Sequence, residues 1–405
     1  MPNYHLIKGG EKWKKAKDGI TLIALIITII VMLILAGVTI NVALNGNLFG
    51  KAETATKETN KAVEKEQLMA AVISAYDAKT GAISKQTLES ELGTGWQVTG
   101  EEGGPYGVTS PKANEYIVTK TGEIGKTTYT NAEVQEKLGA TGGTYTGTWT
   151  VIGVEGDKLK LVSTTNVSSS VILGKADKNV YKTDEAGNSI LDGEGNKILK
   201  DEIVDLNGDE DLEFEKAVWS YAHAVNTLNE EAKKATGIIS AESITIEDIY
   251  DIIGEENVDK GSLYGTVYNY YFDTSKSKVC SKKKTGTDEN GEEQWGSAYT
   301  SSYSTQTFVD SEGRTVTLDA NNPDASVRLP YDYFSYTLTT AQKSAIGSLA
   351  TGYYWLASPC VICDSNYAIF SVRCMRSGNI DYYSLFGSDG RASISGGGVR
   401  AVVSI

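Results

Sequence analysis

The sequence predicts an α+β protein: a long N-terminal transmembrane helix with a small β-sheet head, then a larger mixed α/β domain. Three observations predict it. No charge occurs between Asp18 and Lys51, so the stretch from Ile20 to Leu44 can form one apolar helix of roughly 37 Å, long enough to cross a hydrocarbon core. From Lys51 to about Ala78, lysine and glutamate alternate with Ala52, Ala55, Ala62, Leu68, Met69, Val72, Ile73 and Tyr76, a helical pattern. Beyond Thr148, short alternating runs and two amphipathic stretches are punctuated by glycine-rich turns, the reading of a separate domain.

Taken in order, residues 1–19 are a basic leader with Lys8, Lys12, Lys14, Lys15 and Lys17, and residues 20–50 are the membrane helix, bending at Asn45–Gly50. A cleaved secretory signal would carry only about 7–15 apolar residues, fewer than this run has. The leading lysines favour an N-terminus left inside and a C-terminal domain outside the cell. Residues 51–138 read as a stalk and small head: a capped helix from Ile83 to Leu92, strands at Trp96–Val98 and Tyr116–Thr119, and a helix from Asn131 to Leu138. The Thr/Gly stretch 139–147 reads as a linker.

The second domain, 148–405, opens with a hairpin, Thr148–Val154 and Lys158–Val162. An insertion at about 175–205 precedes a helix from Leu212 to Ala235, with Phe214, Ala217, Val218, Tyr221, Val225 and Leu228 on one face, and a second helix begins near Ile244. Residues 274–323 read as a polar insertion. Asp205, Asn207, Asp209 and Asp211 have the oxygen spacing of a calcium loop, but Lys216 stands where a bidentate glutamate is required, which favours a turn and no metal.

A net charge of −14 and a pI near 4.8 exclude nucleic acid as a partner on electrostatic grounds. Four cysteines, Cys280, Cys360, Cys363 and Cys374, are too few for a disulfide framework, and with only His5 and His223 beside them they assemble no zinc set. No acid, base and nucleophile set is legible, so no enzyme and no cofactor are expected.

The junction Gly19-Ile20-Thr21-Leu22-Ile23 after a basic leader resembles type IV prepilins, and more closely the prepilin-like proteins of Gram-positive bacteria. The resemblance implies a prepilin peptidase as partner, cleavage between Gly19 and Ile20, and other pilin subunits as neighbours. Ala24 departs from the glutamate usual at the fifth mature position, which leaves open a filament subunit, a minor pseudopilin of a secretion or DNA-uptake machine, or a plain anchor.

The last stretch, 353–405, differs in composition from all before it. Lysine ends at Lys343, glutamate at Glu312 and glutamine at Gln342, while four of six arginines are Arg373, Arg376, Arg391 and Arg400. The frame Tyr354-Trp355-Leu356-Ala357-Ser358, then Phe370-Ser371-Val372-Arg373, then Ser384-Leu385-Phe386 and a closing Gly398-Val399-Arg400 strand resembles C-type-lectin-like ligand-binding domains. It is closer still to variable proteins diversified by retroelements, whose template adenines, commonly in AAC or AAT codons, cannot yield Lys, Glu or Gln. The resemblance implies a variable binding face of Cys360, Ile362, Asp364, Asn366, Tyr367, Ile369, Cys374, Asp381, Tyr382 and Tyr383, with a protein or glycan as ligand. Tyrosine and small polar residues are what adaptable binding faces use. Formylglycine-generating enzymes share this architecture and are the catalytic alternative. The function so read is adhesion or ligand capture at the cell membrane or on a pilus.

Overall fold

The computed structural model describes residues 28–30, 32, 48–100, 102, 104–156, 158–208 and 210–405. It falls into two compact units, Met1–Ala71 and Val72–Ile405. The first unit contains, among its described residues, most of the helix Leu48–Ala75, on which Glu53 and Lys57 pair across one turn at 2.7 Å.

The expectation of a transmembrane or pilin helix is corrected here. Among the described residues no helix is long and apolar enough to cross a membrane. Of the expected span 20–50 only Thr28, Ile29, Ile30, Met32 and residues 48–50 are described, and the long helix that starts at Leu48 is laced with lysine and glutamate. The fold class changes from α+β to a mostly β chain, with strands outnumbering helices throughout the second unit. The single-pass membrane localisation, with an extracellular C-terminal domain, loses its structural support for the same reason. Gly19, Ile20 and Ala24, on which the leader-cleavage reading rests, lie outside the described residues.

The second unit begins with a small head. The strands β1 (Tyr76–Asp77) and β2 (Ala82–Ile83) pair, and Ser84 caps the helix Lys85–Leu92 by accepting from the Thr87 N–H. A four-stranded antiparallel sheet follows, β3 (Gln97–Thr99), β4 (Tyr106–Thr109), β5 (Glu115–Val118) and β6 (Ile124–Lys126), whose buried Tyr106 donates its hydroxyl to the Ile83 carbonyl at 2.8 Å.

Next, β7 (Thr128–Thr130) leads into the helix Asn131–Leu138, closed by a Thr130/Glu133 capping box. The stretch 139–147 does not hang free as a linker would. Thr144 and Tyr145 donate their N–H groups to the Ala235 carbonyl, and the Tyr145 ring meets Trp149 edge-on at 5.8 Å. Accordingly β7 joins the larger domain's sheet and places Tyr129 in its core.

That sheet runs β11 (Glu242–Ser243), β24 (Ala401–Ser404), β9 (Lys158–Ser163), β8 (Thr148–Glu155), β7, so the closing strand returns to the opening hairpin. A second sheet of six strands has the order β10 (Ser168–Gly174), β23 (Ile394–Val399), β20 (Tyr353–Cys363), β21 (Ala368–Arg376), β22 (Asn379–Gly387), β19 (Tyr336–Thr337). The helical stretch expected from Leu212 to Ala235 is two helices, Glu213–Ala222 and Ala224–Thr236. They break at His223, whose backbone leaves the helical region and whose ring stacks on Trp219 at 4.1 Å.

The expected polar insertion at 274–323 is built of strands. β12 (Val267–Asp273), β13 (Lys278–Thr287), β14 (Glu293–Trp295), β15 (Tyr299–Thr300) and β18 (Ser326–Pro330) form one sheet, and β16 (Gln306–Val309) with β17 (Thr315–Leu318) a hairpin. Buried Tyr270, Phe308 and Leu329 tie them to the main core, which lysine-rich neighbours on exposed edges conceal in the sequence. The insertion at 175–205 folds as stacked turns in which Asp184 and Asp192 each accept from backbone N–H groups two and four residues on.

The frame residues Trp355, Leu356, Phe370 and Val372, with Val402 of the closing strand, are all buried. Phe370 stacks on Phe386 at 4.4 Å, and both receive the Tyr221 ring edge-on. Arg400 is buried with them. Its guanidinium donates to the Asn166 side chain and to the carbonyls of Ser163, Ser348 and Thr351.

Candidate functional site

The ten residues implied as a variable face do not form one face. Successive strand residues point to opposite sides of a sheet, so a run of neighbours cannot all meet the same ligand. The structure sorts them into three sets.

The first is the turn between β20 and β21. Asp364 Oδ1 accepts the N–H groups of Asn366 and Tyr367 at 2.6 and 3.0 Å, fixing the turn on its own side chain. The Asn366 carbonyl accepts from Gln306 at 2.7 Å, and the Tyr367 ring lies 4.9 Å beneath the Arg391 guanidinium. The Tyr270 hydroxyl donates to the carbonyls of Asp364 and Tyr367. This turn is braced from outside the last fifty residues, by the strands of the 274–323 segment.

The second set lies on β22, opposite the far half of β21. Asp381, Tyr382 and Tyr383 pair in register with Cys374, Arg373 and Val372, roughly 13–20 Å along the strand from the turn. All three are half-exposed. Tyr382 sets its ring edge-on to Tyr333 at 4.3 Å; Tyr383 stands edge-on to Tyr353 at 5.6 Å and to Trp355 at 6.0 Å. The Asp381 carboxylate accepts its neighbour's N–H at 2.9 Å. Tyr382 and Tyr333 form a tyrosine ledge, and Tyr383, on the opposite face of the strand, packs separately against Tyr353 and Trp355. Burial and the neighbouring Tyr382 push the Tyr333 hydroxyl up to about 12, so that hydroxyl is uncharged at neutral pH.

The third set is interior. Cys360 and Cys374 have no exposed surface and therefore touch no ligand, contrary to the expectation. Burial pushes both thiols up to about 12, which keeps them protonated and unreactive. Cys363 is likewise buried and raised, and all four cysteines are free thiols. Ile362 and Ile369 oppose each other across the hairpin, half-buried.

Sequence reasoning missed the segment Tyr331–Phe334, which crosses β20 as a strap. Asp332 donates its N–H to the Val361 carbonyl at 3.1 Å, accepts the Val361 N–H on its carboxylate, and accepts from Arg373 on its own carbonyl. The aromatic run Tyr331-Asp332-Tyr333-Phe334 is the signal that was there to find.

The calcium-like spacing resolves as a turn. Asp205 accepts the N–H groups of Asn207, Gly208 and Glu210, and Glu215 holds the Leu206 N–H; Asp209 lies outside the described residues. Among the described residues no group of three or more His, Cys, Asp or Glu is placed to hold a metal.

Set against family models, curated proteins and solved structures, the chain matches none.

Proposed function

We propose that the C-terminal part of this chain is a ligand-capture module of the kind its resemblance to C-type-lectin-like variable proteins implies, gripping a protein or glycan through the tyrosine ledge of Tyr382 and Tyr333, with Tyr383 on the opposite face of β22 as a separate contact. The observation that carries the reading is the contrast along β22, where Asp381–Ser384 stay half-exposed between fully buried Ile380 and Leu385. Tyrosines so held offer large contact area at little entropic cost, since the Tyr382 ring is already positioned by Tyr333 and the Tyr383 ring by Tyr353 and Trp355. The half-exposed turn Asp364–Tyr367 is a second, separate contact, and Cys360 and Cys374 leave the binding face.

The test is retention of the full chain on a glycan array and on an array of purified extracellular protein domains, beside the variant Tyr382→Ala/Tyr383→Ala. The reading expects at least one probe whose retention falls about tenfold or more in the variant, with no change in Ile239→Ala, an exposed position elsewhere. Retention unchanged by loss of both tyrosines would end it. Diversification is tested separately, by searching the adjoining DNA for a reverse transcriptase and an imperfect copy of the codons for 353–405. The prepilin resemblance is tested by the mass of the mature N-terminus, which processing would set at Ile20.

A further inference from the structure

A cleft of about 380 Å³ opens beside the strap, between the helix Ile246–Ile253 and strand β20, with Arg373, Asp332, Ser358, Glu247, Tyr250 and Tyr264 among its lining. It goes beyond the tyrosine ledge and does not depend on it.

Arg373 is 6% exposed, yet among the described residues no carboxylate lies within 4.0 Å of its guanidinium. Its two Nη atoms donate to the carbonyls of Pro359, at 2.8 Å, and Asp332; its buried Nε has no partner. A guanidinium carries five N–H donors, so the two bonds leave capacity, and a buried cation without a counter-charge is costly. The Asp332 carboxylate, which also lines the cleft and accepts the Val361 N–H, lies beyond ion-pair distance and attracts the guanidinium only through space.

The mouth of the cleft has the opposite character. Glu247 is exposed and has no ion pair among the described residues; the Ser358 hydroxyl, 3.5 Å away, donates to its carboxylate. The adjacent rings already hold an ammonium: Lys260 Nζ, paired with Glu255, stands 5.0 Å from the Tyr250 ring centre and 4.5 Å from that of Tyr264. A positive floor, a free carboxylate at the rim and ammonium-tolerant rings between them complement a small molecule with a charge of each sign. A purely anionic ligand would meet Glu247, and a purely cationic one would meet Arg373.

We propose that this cleft binds a small zwitterion, a free α-amino acid, with its carboxylate on Arg373 and its ammonium on Glu247. The test is titration calorimetry of the full chain with L-leucine, beside 4-methylpentanoate and isopentylamine, which each keep one of its charges. L-Leucine, L-alanine and L-lysine sample side-chain size. At least one amino acid is expected to bind with a Kd below about 10 mM, and the single-charge analogues about tenfold more weakly. Arg373→Met is expected to abolish binding, and Glu247→Gln to weaken it about tenfold while strengthening that of 4-methylpentanoate, which no longer meets a like charge. Should Arg373→Met fail to fold, Glu247→Gln, at an exposed and unpaired position, decides alone. No binding by any of the three amino acids at about 10 mM would overturn the proposal. So would an equal affinity for 4-methylpentanoate, or binding indifferent to Glu247→Gln. Tyr382→Ala is expected to leave the titration unchanged; a loss there would move the ligand to the tyrosine ledge and overturn the assignment to the cleft.

Discussion

Truncating Trp355 and Tyr382 to alanine, one at a time, separates a scaffold residue from a residue the scaffold only carries. Trp355 is fully buried, donates its indole N–H to the Val171 carbonyl at 2.9 Å and packs against Tyr353 and Tyr383. Removing such a ring costs about 3–5 kcal/mol through lost burial and the cavity left behind. Tyr382 is half-exposed, and its one close ring partner is Tyr333, an edge-on pair of a kind that contributes about 0.5–1.5 kcal/mol. The two variants should therefore differ by about 2 kcal/mol or more. At a urea slope of about 2 kcal/mol per molar, that separates their unfolding midpoints by about 1 M, read by circular dichroism. Trp355→Phe keeps most of the ring and loses the N–H, and should fall about 1 kcal/mol below the parent. A Tyr382→Ala midpoint as low as that of Trp355→Ala would make Tyr382 part of the interior and leave the ledge with nothing interchangeable on it.

Other consequences are checked more briefly. A Cβ on Gly398 would stand 1.9 Å from the Asn166 amide, which bonds both the Tyr353 carbonyl and Arg400; Gly398→Ala should cost about 1–3 kcal/mol by thermal unfolding. Gly396→Ala, with nothing nearer than 3.6 Å, should be close to neutral. Iodoacetamide should leave the native protein unmodified by mass spectrometry and add four adducts in urea, because all four thiols are buried; a native adduct on Cys360 or Cys374 would return that residue to the surface. Burial raises the Asp177 carboxyl above its ordinary 3.8, despite bonds from Asn179 and Ser220. The folded state thus holds that proton more tightly than the unfolded one, and its stabilising effect, complete below pH 3.8, fades as pH rises through the raised value. Against Asp177→Asn, the parent should lose relative stability over that window in urea melts and hold a constant difference beyond it.

The larger domain was legible where one rule dominates. The hairpin of β8 and β9 follows from strict alternation about Glu155-Gly156, and the helix expected over Asn131–Leu138 is found there, with a Thr130/Glu133 capping box at its start. Three readings failed where local pattern competes with tertiary packing. The Thr/Gly run 139–147 resembles a linker in composition, but Gly143 and Gly237 approach so closely that a Cβ on either would meet the other segment's backbone near 2.5 Å; there glycine serves contact. The strands of 274–323 carry lysines on solvent edges, which mask the buried positions of β12 and β16. The helix break at His223 has no glycine or proline to announce it.

The binding face was only partly legible, for a reason that lies in strand geometry. A rule about which codons can vary marks positions without regard to which side of the sheet they occupy, and so assigns Cys374 and Asp381 alike. Pairing makes them neighbours across β21 and β22, yet Cys374 lies beside Trp355 in the core, while Asp381 sits on a strand with only the two-residue β19 beyond it. Period-two alternation alone would have divided Arg373 from Val372 and Cys374 and matched it with Tyr382. That pair also explains why the strap matters twice. Tyr333 supports Tyr382 by ring contact, and the adjacent Asp332 carbonyl takes an Arg373 N–H, so one four-residue segment braces the ledge on one side and the floor of the cleft on the other. Substitutions within the strap would disturb both and identify neither, whereas Tyr382 and Glu247, which share no contact, allow ledge and cleft to be perturbed one at a time.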